Sequence, residues 1–208
     1  RSSDLKSDPM ISRVVDKGIR SGAGIERVSF SPDGNLIAFS FHSDGGTSIW
    51  VRSLDGKSEW RLTDGKWRDR APIWSQDGKN LLFISDREDK QGIWSLPFVK
   101  RAENSANAEK PEPATEPQFV KALASIEAML LSCAQDDKTV YYEDRSNLYE
   151  FDLTSGTQRQ LTEFDPKKSG RGNIAISPDW SQIAYVGLDS TVGKTHIFIK
   201  PLSGGTAT

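Results

Sequence analysis

The segment Val28-Ser29-Phe30-Ser31-Pro32-Asp33-Gly34-Asn35-Leu36-Ile37-Ala38-Phe39 constrains the fold more than any other, because the chain writes its plan four times. Pro32 sets φ near the value a tight turn needs at its second position, the Asp33 carboxylate can fold onto nearby backbone amides, and Gly34 accepts φ > 0. With an apolar run on either side, the unit reads as a β-hairpin. The plan returns at Ile73-Trp74-Ser75-Gln76-Asp77-Gly78, at Leu131-Ser132-Cys133-Ala134-Gln135-Asp136-Asp137 and at Ile174-Ala175-Ile176-Ser177-Pro178-Asp179-Trp180. With Ser31, Ser75, Ala134 and Ser177 in register, the spacings are 44, 59 and 43 residues. The long middle spacing coincides with residues 100–117, rich in Ala, Glu and Asn and carrying Pro111, Pro113 and Pro117. That composition reads as an inserted surface loop and not as core.

Each repeat holds further strands. In the first, Leu36–Phe41 is followed by Ser48–Arg52 and by the more polar Glu59–Thr63, an outermost strand. Four short strands per period of about forty residues predict an all-β fold, a β-propeller of four-stranded antiparallel blades. The blades are expected at about 28–63, 72–122, 128–163 and 173–202, after a flexible polar N-terminus over residues 1–10. Arg13-Val14-Val15-Asp16 reads like the outer strands Arg61-Leu62-Thr63-Asp64 and Gln160-Leu161-Thr162-Glu163, while the fourth repeat has only three strands. A strand over 12–16 is therefore expected to complete the last blade and leave no broken sheet edge.

Composition narrows the function classes. The 208 residues carry 27 basic and 29 acidic side chains, interspersed, for a net charge of −2. No basic block suits nucleic acid or an anionic membrane, and the apolar runs are strand-sized, so no membrane insertion is expected. The single cysteine, Cys133, sits in an apolar strand and reads as a buried, inert thiol.

No constellation for catalysis is visible. His42 and His196 occupy different positions in their repeats, and no second histidine lies near either in sequence, so neither a metal site nor a nucleophilic triad is indicated. Nucleophile-elbow, zinc-helix and phosphate-loop motifs are missing. Asp33, Asp77, Asp136 and Asp179 recur with the turn and read as turn caps. The charged clusters Asp64–Asp69 and Asp86–Asp89 lack the oxygen spacing of a calcium loop and read as solvated loops. Trp50, Trp94, Tyr149 and Phe198 share one position in the third strands and are expected between blades. Trp67, flanked by Lys66 and Arg68, lies instead on a loop that does not repeat. Trp67, Arg68, Arg70 and Arg87 form the expected partner-binding set, on loops that share one face of such a fold. No catalytic residue, cofactor or metal ligand is expected.

Three groups of residues resemble the TolB-like propeller repeat, also called the WD40-like or PD40 repeat. They are Phe30-Ser31-Pro32-Asp33-Gly34 before Ile37-Ala38-Phe39, Ile49-Trp50-Val51 before Leu54-Asp55-Gly56, and Trp60-Arg61-Leu62-Thr63. Ser85-Asp86-Arg87 after a second strand is also typical of it. The resemblance covers residues 12–202 apart from the insertion; Ala134-Gln135-Asp136-Asp137 departs from it by lacking Pro and Gly, and Trp180 stands where Gly is usual. It implies either a periplasmic or extracellular scaffold that binds a protein or peptide on a loop face, or the non-catalytic, substrate-gating propeller of a larger hydrolase. Such propellers usually have six or more blades, so four imply a fragment of a larger ring, a homodimer completing one, or a tight four-bladed closure.

Overall fold

A computed structural model of the chain describes residues 24–43, 45–98, 116–125, 128–144, 147–162, 174–189 and 193–202. The expected N-terminal tail 1–10, the closing strand 12–16 and residues 100–115 of the insertion lie outside the described residues. Among the described residues, all regular structure but one 3-10 turn, Arg87–Asp89, is β. Blade 1 contains β1 (Gly24–Phe30), β2 (Leu36–Ser43), β3 (Gly46–Ser53) and β4 (Glu59–Arg61). Blade 2 contains β5 (Arg70–Trp74), β6 (Asn80–Ser85), β7 (Gly92–Pro97) and β8 (Gln118–Ala122). Blade 3 contains β9 (Met129–Cys133), β10 (Thr139–Asp144), β11 (Asn147–Asp152) and β12 (Gln158–Gln160). Blade 4 contains β13 (Ile174–Ile176), β14 (Gln182–Asp189) and β15 (Lys194–Pro201). Each blade is an antiparallel meander in chain order, four-stranded in blades 1 to 3 and three-stranded in blade 4 among the described residues.

The recurring turn explains itself atom by atom. Ser31 Oγ accepts from Leu36 N at 2.9 Å and donates to Asp33 Oδ1 at 2.6 Å, while Gly34 N donates to Ser31 O at 2.9 Å. Ser75 with Asp77, and Ser177 with Asp179, repeat the pattern. Blade 3 has Ala134 in place of the serine, and there the Asp136 carboxylate takes Thr139 N directly at 3.0 Å. The left-handed position of this turn is filled by Gly34 (φ 69°), Gly78 (φ 70°), Asp137 (φ 53°) and Trp180 (φ 59°). A large side chain there is strained; Trp180 offsets this by stacking on Tyr141 across the blade 3–4 seam, ring centroids 5.4 Å apart.

Outer strands are fixed by a second repeated device. Thr63 Oγ1 accepts from Ile49 N at 2.9 Å and Thr162 Oγ1 from Leu148 N at 2.8 Å. A hydroxyl thus satisfies a third-strand N–H where the short fourth strand has ended.

Blades stack face to face. Leu36, Ala38, Ile49 and Val51 of blade 1 pack against Trp74, Leu81, Phe83 and Trp94 of blade 2. Ile73, Leu82, Ile84 and Ile93 on the other face of blade 2 meet Leu130, Val140, Tyr142 and Phe151 of blade 3, with Cys133 buried among them. Tyr141 and Leu148 of blade 3 meet Ile183 of blade 4. Each side chain so buried contributes about 1.5–3 kcal/mol, so the seams between blades are the core. Trp94 lies in the blade 1–2 seam, whereas the equivalent Trp50 faces away from it and meets Phe41 edge-on at 6.1 Å.

The first strand begins earlier than its apolar pattern suggests, at Gly24 and not Val28. A bulge between Glu26 and Val28, with Arg27 at φ 50°, absorbs the break in alternation. Blade 2 has the same bulge, with Ala71 at φ 51°.

Candidate functional site

First strands begin, and second strands end, on one face of the blades; the Ser-Asp turns occupy the opposite face. The loops 64–69 and 86–91 meet on the first of these, and their meeting is anchored by a buried ion pair. Asp69, with no exposed surface, accepts from Arg87 Nη2 at 2.7 Å and from Ser85 Oγ at 2.5 Å. The Arg87 guanidinium also lies 5.3 Å from the Phe83 ring centroid and 5.4 Å from that of Trp94. A buried charge held this way is paired, hydrogen-bonded and set against aromatic faces.

The loops above this anchor are held by their backbones. Thr47 N donates to Trp67 O and Asp69 N to Thr47 O, both at 3.2 Å, and Arg68 N donates to Asp86 Oδ1 at 2.9 Å. Gly46, at φ 129°, makes this close approach feasible, because a Cβ there would lie 2.3 Å from Gly65 O. Lys66 is paired with Asp64 at 2.9 Å. That pairing raises the ammonium's pKa and lowers the carboxyl's. Glu88 and Asp89 both adopt positive φ, 54° and 57°, on the rim. The result is an open cleft of about 410 Å³ lined by Trp67, Lys66, Arg68, Asp86, Asp89 and Gln91. An aromatic wall with polar groups of both signs suits a polypeptide surface.

Of the four residues expected to bind a partner, Trp67 and Arg68 line this cleft, Trp67 half-buried and Arg68 exposed. Arg70 lies beneath, half-buried, 3.9 Å from Glu26. Arg87 is buried, because its guanidinium completes the Asp69 anchor, and it positions the loops. Asp69 departs from the solvated loop expected over Asp64–Asp69: it is fully buried, because Arg87 of the Ser85-Asp86-Arg87 run pairs with it in the interior. The turn carboxylates stay with the fold: Ser177 and Ser181 bonds hold Asp179 down to about 2.

A second cavity, about 420 Å³, lies where the first strands of all four blades converge. Beside it Glu143, nearly fully buried, leaves Oε2 without a hydrogen-bond partner, and burial raises its pKa against the opposing field of Arg27. Among the described residues no group of three His, Cys, Asp or Glu side chains is placed to hold a metal ion. No described helix is long and apolar enough to cross a membrane.

No family model matches the chain. Among curated proteins it is 26% identical over 157 residues to the uncharacterized peptidase YuxL of Bacillus subtilis, covering 75% of this chain and 20% of that protein. It is 27% identical over 169 residues to dipeptidyl-peptidase 5 of Porphyromonas gingivalis, covering 75% and 23%. The chain thus spans about a fifth of the length of these relatives. Among solved structures it superposes on TolB of Acinetobacter baumannii with a TM-score of 0.65 at 18% identity, covering 88% of this chain and 42% of that one. On a putative TolB of Agrobacterium tumefaciens the score is 0.59 at 21% identity, covering 88% and 60%. On a puromycin-hydrolyzing peptidase of Mycobacterium tuberculosis it is 0.56 at 15%, covering 89% and 28%. Stacked antiparallel meanders and these superpositions together give the chain the β-propeller fold.

Proposed function

We propose that this domain is a non-catalytic docking module that binds a protein or peptide on the face bearing loops 64–69 and 86–91. The observation that carries the reading is the Trp67 cleft: an aromatic side chain held at a blade seam by backbone hydrogen bonds and a buried ion pair, beside exposed charges. A rigid aromatic anchor with a polar rim is how interfaces concentrate binding energy. A periplasmic or extracellular setting accords with the TolB-like superpositions. A photo-crosslinking amino acid at position 67 tests the reading in envelope extract. One dominant polypeptide adduct, lost when Arg68→Glu is added, is expected; an adduct pattern unchanged by Arg68→Glu overturns it.

A second reading is supported by the peptidase-named relatives, of which the chain matches about a fifth. In it the same module gates substrate entry to a hydrolase domain encoded elsewhere in the same frame. Sequencing the reading frame on both sides of these residues checks it; a frame without a hydrolase domain removes it.

A further inference from the structure

The Trp67 cleft carries charges of both signs, but its cations are already engaged. Lys66 is held by Asp64 at 2.9 Å. Arg68 gives its backbone N–H to Asp86 Oδ1 at 2.9 Å and has a further partner besides. Lys90, next to the cleft, pairs with Glu88 at 3.4 Å and lies 6.0 Å from the Phe119 ring centroid. Acceptors are what remains. Among the described residues the exposed Asp89 carboxylate has no hydrogen bond or ion pair, and Asp86 uses only its Oδ1. Gln91 donates its amide nitrogen to Leu123 O at 3.2 Å, which leaves the amide oxygen as its open end. Trp67 adds an indole face, half-buried and held by the bond from Thr47 N to its carbonyl. Two carboxylates, an amide oxygen and an aromatic wall thus share one space of about 410 Å³.

We infer that this cleft receives an arginine side chain of the docked polypeptide, with its guanidinium stacked on Trp67 and forked onto Asp89. A guanidinium is planar, weakly hydrated and rich in donors, so one group can meet an indole face and a carboxylate together. An ammonium holds its water more tightly and offers no fork. An acidic side chain would meet the unpaired Asp89 carboxylate and be repelled. The inference rests on the docking function proposed above and adds the partner's charge: basic where it enters the cleft.

The test follows the Trp67 indole N–H by NMR in the full 208-residue chain, the resonance being assigned by its loss in Trp67→Phe. The probes are arginine blocked at both ends, its uncharged isostere citrulline and glutamate, blocked in the same way. Asp89→Asn is the variant: Asp89 is exposed and outside the Asp69 anchor, and Asn tolerates its φ of 57°. Arginine is expected to move the resonance to saturation. Citrulline, and Asp89→Asn with arginine, are each expected to bind about tenfold or more weakly. Equal binding of arginine and citrulline, glutamate binding as tight as arginine, an affinity unchanged by Asp89→Asn, or no shift with arginine overturns the inference. The photo-crosslink at position 67 separates it from the docking reading. A dominant adduct that Asp89→Asn leaves intact overturns the arginine site and leaves docking standing. An arginine-selective shift without a dominant adduct supports the site and removes docking.

Discussion

Blades 2 and 4 are built from the same repeat and differ in what surrounds them. Ile93 of blade 2 and Ile197 of blade 4 hold equivalent third-strand positions, opposite Ile84 and Val186. Ile93 is fully buried against blade 3, whereas Ile197 is 73% exposed. Blade 2 also owns the Asp69–Ser85–Arg87 anchor, while among the described residues β14 and β15 of blade 4 are tied by their ladder and the Tyr185–Phe198 stack. The difference teaches that strand pairing follows from the repeat, whereas stability depends on whether a neighbouring blade covers the face.

The largest effects should come from breaking the anchor that blade 2 has and that blade 4 does not show among the described residues. Asp69→Ala strands the Arg87 charge in the interior and should cost about 3–5 kcal/mol in denaturant unfolding; a loss below about 1 kcal/mol would mean that water reaches the pair. Next, Ile93→Ala should cost about 2–5 kcal/mol as a cavity in a filled seam, and Ile197→Ala should stay within about 0.5 kcal/mol. Equal losses would show that the blade 4 face is covered in solution.

A smaller effect isolates the turn-to-turn contact that blade 2 enjoys. Asp137, in the third repeat, accepts from Asp77 N at 2.9 Å and also from Gln76 N. Asp137→Ala should cost about 2 kcal/mol by leaving those amides without their charged acceptor, and Asp137→Asn less. Unaltered stability in Asp137→Ala would mean that the blades are spaced by side-chain packing alone.

The smallest effects concern pH. Backbone and serine bonds lower the pKa of Asp77 and Asp179, the latter to about 2. A depressed folded value gives stability that is complete above the unfolded value of about 4 and is lost as pH falls through the folded one. Thermal melts should therefore drop between about pH 4 and 2, with a shallower drop in Asp179→Asn. Glu143 has the opposite sign: burial raises its folded pKa, so its ionisation costs stability above that pKa. Glu143→Gln should raise the melting temperature at neutral pH, with the gain shrinking in acid; a decrease at neutral pH would mean that the carboxylate has a partner in solution.

Much of this was legible in the residues. Turn chemistry at Ser31-Pro32-Asp33-Gly34 and its three echoes specified hairpins, period and blades, because φ, capping and alternation are local properties. Trp67 was legible as the aromatic outside the repeat. Arg87 was not legible as an anchor, because its partner Asp69 lies eighteen residues away and only the stacking of strand ends brings the two together. The left-handed Arg27 was not legible for a related reason: it belongs to a bulge, and a bulge shows only in the register of two paired strands.

Cys133 has a practical consequence. It is 1% exposed inside the blade 2–3 seam, and burial pushes its thiol up to about 12. At neutral pH a thiol-specific dye therefore meets neither a thiolate nor an open path while the seam is closed. The chain has a single cysteine, so its labelling rate is a clock for the parting of two blades, readable without adding a probe and unaffected by fraying elsewhere.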